Sequence, residues 1–147
     1  MGPFELLELV GLQVGAHVLD THHTAFPDRF FESQALRKLA QHGKIYDRDG
    51  KKKITGVSAE ALSLVGKGPG LGADELRARV CDGLADEVWR MLEEGVVESP
   101  EDIDVAMILG AGWPFHMGGL TPFLDRVGAS EKARGKTFHT PPIKGVS

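Results

Sequence analysis

Cysteine and long apolar runs are scarce in this sequence. Cys81 is the single cysteine, which excludes a disulfide framework and makes a reducing compartment the simpler expectation. No apolar run approaches the roughly 18 residues that a membrane span needs. The N-terminus also has no basic segment followed by an apolar one, so no secretory signal is indicated. We therefore predict a cytoplasmic chain without a membrane span.

The sequence also has no excess of basic over acidic residues. The chain of 147 residues has 17 basic and 21 acidic side chains and a net charge of −4. A nucleic-acid binder normally carries a basic face, and none stands out here. The length fits one domain, or one and a half copies of a small repeat.

The segment from Ser99 to Gly128 has the most specific pattern in the chain. Ser99 suits a helix N-cap and Pro100 the first helical position. We predict that Ile103, Ala106 and Met107 share the buried face of this helix, because they are three and four residues apart. A glycine-rich apolar turn follows, and a second short helix opens at residues 121–122 and ends at residue 128.

The run PEDIDVAMILGAGWPFHMGGLTPFLDRVG resembles the C-terminal helical domain of the 3-hydroxyacyl-CoA dehydrogenases. It is most similar to the tandem copies of that domain in multifunctional fatty-acid β-oxidation proteins. The resemblance starts at about Glu93. It implies an all-α helical bundle resembling the 6-phosphogluconate dehydrogenase C-terminal-like fold.

The same signature recurs at the start of the chain. Leu7, Glu8, Val10 and Gly11 stand 117 residues before Leu124, Asp125, Val127 and Gly128, and such repetition defines the architecture. We expect a duplicated repeat. Residues 1–65 would be a truncated first copy that lacks its long leading helix, residues 66–72 a Gly-rich linker, and residues 73–147 the second copy and tail.

The remaining elements follow from helical periodicity. Besides a helix over residues 3–10, we predict helices from Gln13 to Phe26, from Ser33 to Gly43 and from Ser58 to Val65. The longest helix should run from Asp74 to Glu94. Its buried stripe should comprise Leu76, Val80, Leu84, Val88 and Leu92, widened by Cys81, Ala85 and Trp89. Residues 136–142 should form an extended tail.

A small hairpin is predicted between residues 44 and 55. Asp49-Gly50 favours a type I′ turn, since both residues tolerate positive φ. With that turn, Ile45 would face Ile54 and Asp47 would face Lys52. Lys51-Lys52-Lys53 could attract an acidic partner, but a solvated hairpin edge is the commoner role for such a run.

Four further patterns have a functional and a structural interpretation. His17, Asp20, His22 and His23 do not show the four-residue histidine spacing of a helical zinc site, so we expect no metal. His116 and His139 lack a visible carboxylate or nucleophile partner and are not predicted to be general bases. The glycine-rich residues 66–72 follow a helix and contain Pro69, so they are interpreted as a linker and not as a phosphate loop. Cys81 is interpreted as a core residue.

The resemblance implies that catalysis takes place outside this chain. In the parent enzymes a Rossmann domain binds NAD and supplies the catalytic His–Glu pair, and a Ser and an Asn complete the site. This sequence contains no Asn, and Asp86-Glu87 stands where relatives often have Asn-Glu. We therefore expect no cofactor and no catalytic residue here. Met1, Pro3 and Leu7 are expected to lie near the acyl chain in an intact enzyme.

Two functional hypotheses remain open. The chain is either the C-terminal dimerisation and substrate-cleft part of a 3-hydroxyacyl-CoA dehydrogenase, not catalytic by itself, or a stand-alone helical module that assembles with β-oxidation enzyme subunits. A homo-oligomer is expected in both cases. Without a long helix in copy one, an apolar face would remain uncovered, made of Phe4, Leu7, Val10, Val14, Val18 and Phe26.

Overall fold

A computed structural model describes residues 2–66, 68 and 70–140. These residues form eight α-helices, one 3₁₀ turn and one two-stranded antiparallel sheet, so the predicted all-α class with a small hairpin is confirmed. Within the described residues, no helix is long and apolar enough to cross a membrane. The chain divides into two compact units, Met1–Gly70 and Leu71–Ser147.

Unit 1 contains four helices and the hairpin. The elements are α1 (Pro3–Val10), α2 (Leu12–Ala25), α3 (Gln34–His42), β1 (Tyr46–Arg48), β2 (Ile54–Val57) and α4 (Ala59–Val65). The side chains of Ser33 and Ser58 accept hydrogen bonds at the starts of α3 and α4, and these caps explain why both helix starts could be predicted. The core consists of Leu12, Leu39, Ala40, Ile45 and Ala61.

The hairpin turn differs from the prediction. Lys52 has a φ of 63°, and neither Asp49 nor Gly50 has positive φ. The amide of Lys52 donates to the Asp49 carbonyl at 2.9 Å, and that of Asp49 donates to the Lys53 carbonyl at 3.0 Å. This is a three-residue loop in which a type I turn is followed by a left-handed residue.

The longer loop shifts the strand register. Arg48 pairs with Ile54 and Asp47 pairs with Gly56, so the predicted contacts of Ile54 with Ile45 and of Asp47 with Lys52 are wrong. The carboxylate of Asp47 instead accepts a hydrogen bond from Lys44 at 2.9 Å.

Unit 2 is built around its longest helix. The elements are α5 (Ala73–Glu93), α6 (Pro100–Gly110), a 3₁₀ turn (Phe115–Met117), α7 (Leu120–Arg126) and α8 (Ala129–Arg134). A capping box between Ser99 and Asp102 starts α6. The buried core cluster comprises Cys81, Ala85, Val88, Ile103, Leu120, Leu124 and Ala129, which confirms Cys81 as a core residue.

Two predicted helix faces are partly wrong. On α5, Leu76 is 50% exposed and Val80 is 61% exposed, because α6, α7 and α8 pack only beyond its first two turns. On α6, Ala106 is exposed, while the charged Asp104 is buried beside Ile103. The apolar spacing could not reveal this, because the buried position next to Ile103 is taken by a carboxylate that accepts hydrogen bonds from Thr121.

Both units contain the same arrangement, which we call a carboxylate clasp: one side-chain carboxylate accepts hydrogen bonds from two successive backbone amides. In unit 1, Glu8 on α1 accepts hydrogen bonds from the successive amides of Ile45 and Tyr46, at 2.9 and 3.0 Å. In unit 2, Asp125 on α7 accepts from the successive amides of Phe138 and His139, at 2.9 and 3.1 Å. Each clasp therefore connects the helix that carries the repeated signature, α1 or α7, to a segment more distant along the chain. We call these two helices the signature helices.

The segment after α8 is docked rather than a free tail. The Phe138 ring lies 4.4 Å from the Trp89 ring, and the Lys136 ammonium lies 4.8 Å from the Trp89 centroid. His139 is buried. Residues 136–140 have no helix or strand, as predicted, but they bend and are docked instead of extended, while residues 141 and 142 lie outside the described residues.

Asp86 on α5 forms an ion pair with Arg134 on α8. Its carboxylate accepts from Arg90 at 2.8 Å and lies 2.8 Å from Arg134. The hydrogen bond from Arg90, followed by that from Arg134 and by the charges of both guanidinium groups, holds the pKa of the Asp86 carboxyl below its usual value of 3.8.

Asp86→Asn should therefore lower the melting temperature at neutral pH. A depressed carboxyl pKa stabilises the fold above the usual value, and this contribution is lost as the pH falls through the folded-state pKa. The difference in melting temperature between wild type and variant should close in acid. Asp74→Asn is the control, because Asp74 is 99% exposed in its pair with Arg77. A difference that persists undiminished below the carboxyl pKa would contradict the assignment.

Candidate functional site

An apolar cavity of about 540 Å³ opens on unit 1. It lies among the four helices of unit 1 and the hairpin, and its lining is apolar except for Ser33 and the hydroxyl of Tyr46. The lining residues are Phe4, Leu7, Leu19, Phe31, Ser33, Ala35, Leu36, Leu39, Ile45, Tyr46, Val57, Ala61, Leu62 and Val65. A concave apolar surface of this size is in the range of ligand and partner sites.

The three residues expected near an acyl chain are placed differently. Leu7 is half-buried and lines the cavity. Pro3 is exposed at the first position of α1 and is not among the lining residues. Met1 lies outside the described residues, so the structure joins only Leu7 to this candidate site.

A second apolar surface runs along α1 and α2. Val10, Val14, Val18 and Phe26 are between 45% and 57% exposed, so the described residues of unit 1 leave about half of each side chain uncovered. Leu7 was predicted in the same uncovered set, but it packs partly against the core of its own unit. Exposed apolar side chains that are contiguous usually indicate an association surface.

Unit 2 contains a buried polar cluster that the sequence interpretation missed. Asp104 accepts hydrogen bonds from the amide and the hydroxyl of Thr121, both at 2.7 Å. The Thr121 hydroxyl lies 2.8 Å from Nε2 of His139. His139 Nδ1 is 3.5 Å from a carboxylate oxygen of Glu101. The expectation that His139 lacks a carboxylate partner is therefore wrong.

This cluster contains the residue types of a nucleophile, a base and an acid, but its burial assigns it another role. Thr121 has no exposed surface, while Asp104 and His139 are 8% and 7% exposed. A substrate could not reach the hydroxyl, and nucleophilic catalysis requires that contact. The cluster instead fastens α6, α7 and the segment 136–140 to one another, with the buried polar groups satisfied by hydrogen bonds.

Gly119 leaves the room that Asp104 needs. A Cβ atom at position 119 would stand 2.5 Å from Cγ of Asp104, and Gly119 has a φ of +121°. Glycine is favoured there on both grounds. The sequence signal for this site is a carboxylate within an apolar helix face, followed by a Gly-x-Thr segment.

Two of the three histidines of α2 have structural partners, and the third, His17, is exposed. His23 Nδ1 lies 2.5 Å from the Phe30 carbonyl, and the His22 ring stacks on Phe30 at 4.8 Å. Asp20 accepts from Arg37 at 2.8 Å. In the described part of the chain, no group of three or more His, Cys, Asp or Glu residues could hold a metal ion.

The two remaining candidates lie at the surface. His116 is exposed in the 3₁₀ turn. Lys51, Lys52 and Lys53 are exposed at the hairpin tip, where Asp49 accepts hydrogen bonds from the backbone amides of Lys51 and Lys53 at 2.9 Å. These bonds order the loop, and an acidic partner for the lysines stays a prediction.

The comparisons with known proteins identify the family. The 3-hydroxyacyl-CoA dehydrogenase C-terminal domain matches residues 1–56 and 77–134, which are more than half of the chain. A fatty acid oxidation complex subunit alpha of Shewanella amazonensis is 32% identical over 145 residues, 91% of this chain and 20% of that protein. Its counterpart in Shewanella halifaxensis is 33% identical over 140 residues, 88% of this chain and 20% of that protein.

The chain thus spans about a fifth of the length of the curated relatives that it matches. No solved structure gives a significant match. The family model matches two separate segments, one in each of the two units. The chain belongs to the family of 3-hydroxyacyl-CoA dehydrogenase C-terminal domains.

Proposed function

We propose that this chain is the C-terminal dimerisation and substrate-cleft part of a 3-hydroxyacyl-CoA dehydrogenase of fatty-acid β-oxidation, and that it is not catalytic by itself. The observation that carries this proposal is the open apolar cavity of unit 1, into which the signature helix presents Leu7. An apolar wall suits the positioning of an acyl chain. Met1 and Pro3 would flank that wall in the assembled enzyme.

The chemistry of the described residues supports a non-catalytic role. The one hydroxyl–imidazole–carboxylate arrangement found among them is buried and joins secondary-structure elements. Hydride transfer needs a nicotinamide cofactor held against the substrate. We assign NAD to a separate Rossmann domain of the parent enzyme, as the family resemblance implies, and no cofactor to this chain.

The two units support an origin by duplication. Each has a signature helix whose carboxylate clasps two successive amides. Each signature ends at a glycine with positive φ, Gly11 or Gly128. The next residue, Leu12 or Ala129, is 4% exposed in both units. We assign residues 1–65 to the first copy, 66–72 to a linker and 73–147 to the second copy and tail.

The exposed face of α1 and α2 supports self-association. Each large apolar side chain left in water forgoes roughly 1.5–3 kcal/mol, which favours burial against another surface. A twofold dimer would let each α1–α2 pair cover its symmetry mate. We place this assembly in the cytoplasm, because a chain with a single cysteine suits a reducing compartment.

Purified alone, the chain should not reduce acetoacetyl-CoA with NADH. The reason is that the cofactor site and catalytic groups belong to the NAD domain. NADH absorbance at 340 nm should fall no faster than without protein, while a full-length relative serves as the positive control. Steady NADH consumption proportional to the amount of this chain would refute the proposal.

The chain should also run above its formula mass of 15.9 kDa in light scattering at micromolar concentration. Val14→Asp with Val18→Asp should reduce the mass to that of a monomer, since two charges cannot be buried cheaply in an apolar interface. Leu76→Asp with Val80→Asp is the matched control, a pair with the same spacing and similar exposure on α5. A well-folded monomeric wild type would contradict self-association.

The alternative is a stand-alone helical module that assembles with β-oxidation enzyme subunits. It is favoured by the identity of the relatives, which are alpha subunits of fatty acid oxidation complexes. In that case the same apolar face would bind a different chain. Light scattering with separately purified hydratase, thiolase and NAD-domain chains would then show a mixed complex in place of the homodimer.

A further inference from the structure

The hairpin of unit 1 carries two chemically different surfaces. Its base contributes Ile45, Tyr46 and Val57 to the lining of the apolar cavity. Its tip carries three successive lysines, residues 51–53, and all three are exposed. A strand rises by about 3.3 Å per residue, so roughly 10 Å of chain separates Tyr46 from the start of the turn at Asp49. One element therefore presents an apolar wall at one end and ammonium groups at the other.

Two of the three lysines have no ion-pair partner. Within the described residues, no carboxylate forms an ion pair with Lys51 or Lys53, whereas Arg48 on the same hairpin lies 3.5 Å from Glu8. Lys52 shares a hollow of the surface with the carboxylates of α1, which offset its charge. The whole chain has a net charge of −4, so the tip is a local exception. Such a concentration of one charge attracts ligands of the opposite sign.

The turn that carries these lysines is held in place by its own hydrogen bonds. Asp49 Oδ1 accepts the backbone amides of Lys51 and Lys53, both at 2.9 Å, so this carboxylate is committed to the backbone. Lys52 between them has a φ of 63°, in the left-handed region that glycine enters more readily. Because the loop is already ordered, a ligand that binds there loses little affinity to backbone ordering.

We propose that Lys51 and Lys53 bind the phosphate groups of an acyl-CoA thioester whose acyl chain lies in the cavity of unit 1. The inference rests on the proposed function, which gives that cavity to the acyl chain. Such a ligand has an apolar chain at one end and a diphosphate and a 3′-phosphate at the other. The hairpin matches both ends, because Tyr46 and Val57 line the cavity and the lysines are opposite in charge to the phosphates.

Lysine suits a flexible polyanion of this kind. An ammonium group is a compact charge on a flexible stem, so it follows a phosphate without the bidentate geometry of arginine. Phosphate oxygens are strong charged acceptors, and two ammonium groups on one loop can contact a diphosphate together. An acidic protein segment would supply carboxylates but no chain for the cavity. The apolar wall on the same hairpin therefore favours the thioester over an acidic protein.

NMR titration of the full ¹⁵N-labelled chain tests the assignment, with every ligand kept below its micelle concentration. Octanoyl-CoA should shift the amide signals of residues 49–53 together with those of Leu62 and Val65, which line the cavity on α4. Its affinity should fall as salt is added, because the lysines are exposed. Octanoate should shift the cavity signals alone. CoA without the 3′-phosphate should bind more weakly than CoA.

Variants of the tip separate the lysines from the cavity. Lys51→Gln and Lys53→Gln should each weaken octanoyl-CoA binding several-fold, and both together about tenfold, since exposed charge pairs contribute modestly and two are lost. Binding of octanoate should not change. Lys38→Gln is the matched control, because it removes one charge from an exposed position on α3, and it should leave both affinities unaltered. The backbone bonds to Asp49 remain in every variant, so the turn should keep its amide shifts.

The outcomes distinguish this inference from the proposed function and from its rivals. Equal octanoyl-CoA affinities of wild type and the double variant, with octanoate still bound in the cavity, would overturn the inference and leave the proposed function standing. If octanoate does not reach the cavity while CoA shifts the tip of wild type but not of the double variant, the acyl wall of the proposed function fails and the lysine site stands.

Sedimentation with phosphatidylglycerol vesicles addresses the other source of phosphate groups, a lipid surface. The chain should stay in the supernatant, because the proposed ligand needs the cavity as well as the tip. Sedimentation that depends on Lys51 and Lys53, without any effect of CoA on the amides of residues 49–53, would assign the tip to a lipid surface and contradict the proposal.

Discussion

The structure depends on one interaction that occurs once in each unit: a carboxylate on the signature helix receives two successive backbone amides from a distant segment. Glu8 does this for Ile45 and Tyr46, and Asp125 does it for Phe138 and His139. Hydrogen bonds to a charged acceptor contribute roughly 1.5–3 kcal/mol. The longer Glu8 and the shorter Asp125 each satisfy two adjacent amide donors in their own unit. The glycine turn and the buried residue that follow then fix the path of the next helix.

Local signals predicted the helices well, because serine caps, glycine stops and apolar spacing act within a few residues. Long-range contacts account for the errors. The spacing on α5 predicted a stripe along the whole helix, but partners pack only beyond its first two turns, so Leu76 and Val80 stay exposed. The hairpin turn was misassigned because Lys52 takes the left-handed conformation that Gly50 was expected to take. The sequence of residues 136–140 has no apolar periodicity from which their position could be predicted. Their position depends instead on contacts with α5, α6 and α7.

The candidate site was predictable only in part. Leu7 was identified from the signature and does line the apolar cavity. The cavity itself was not visible, because it needs α3, α4 and the hairpin to converge on α1. Asp104 and the hydrogen-bond partners of His139 were missed for a related reason. A buried carboxylate is tolerated only with its partners in place, and those partners stand 17 and more residues away along the chain. These contacts explain why polar residues of catalytic type hold unit 2 together, while the two candidate surfaces of unit 1 are apolar.

Native-state hydrogen exchange measured by NMR tests the shared clasp most directly. The amides of Ile45, Tyr46, Phe138 and His139 should exchange as slowly as amides inside the flanking helices, although Ile45, Phe138 and His139 lie outside regular secondary structure. Glu8→Gln should speed exchange at Ile45 and Tyr46 and leave Phe138 and His139 unchanged, and Asp125→Asn should do the reverse. Exchange of all four amides at the rates of unprotected loops in the wild type would contradict the account.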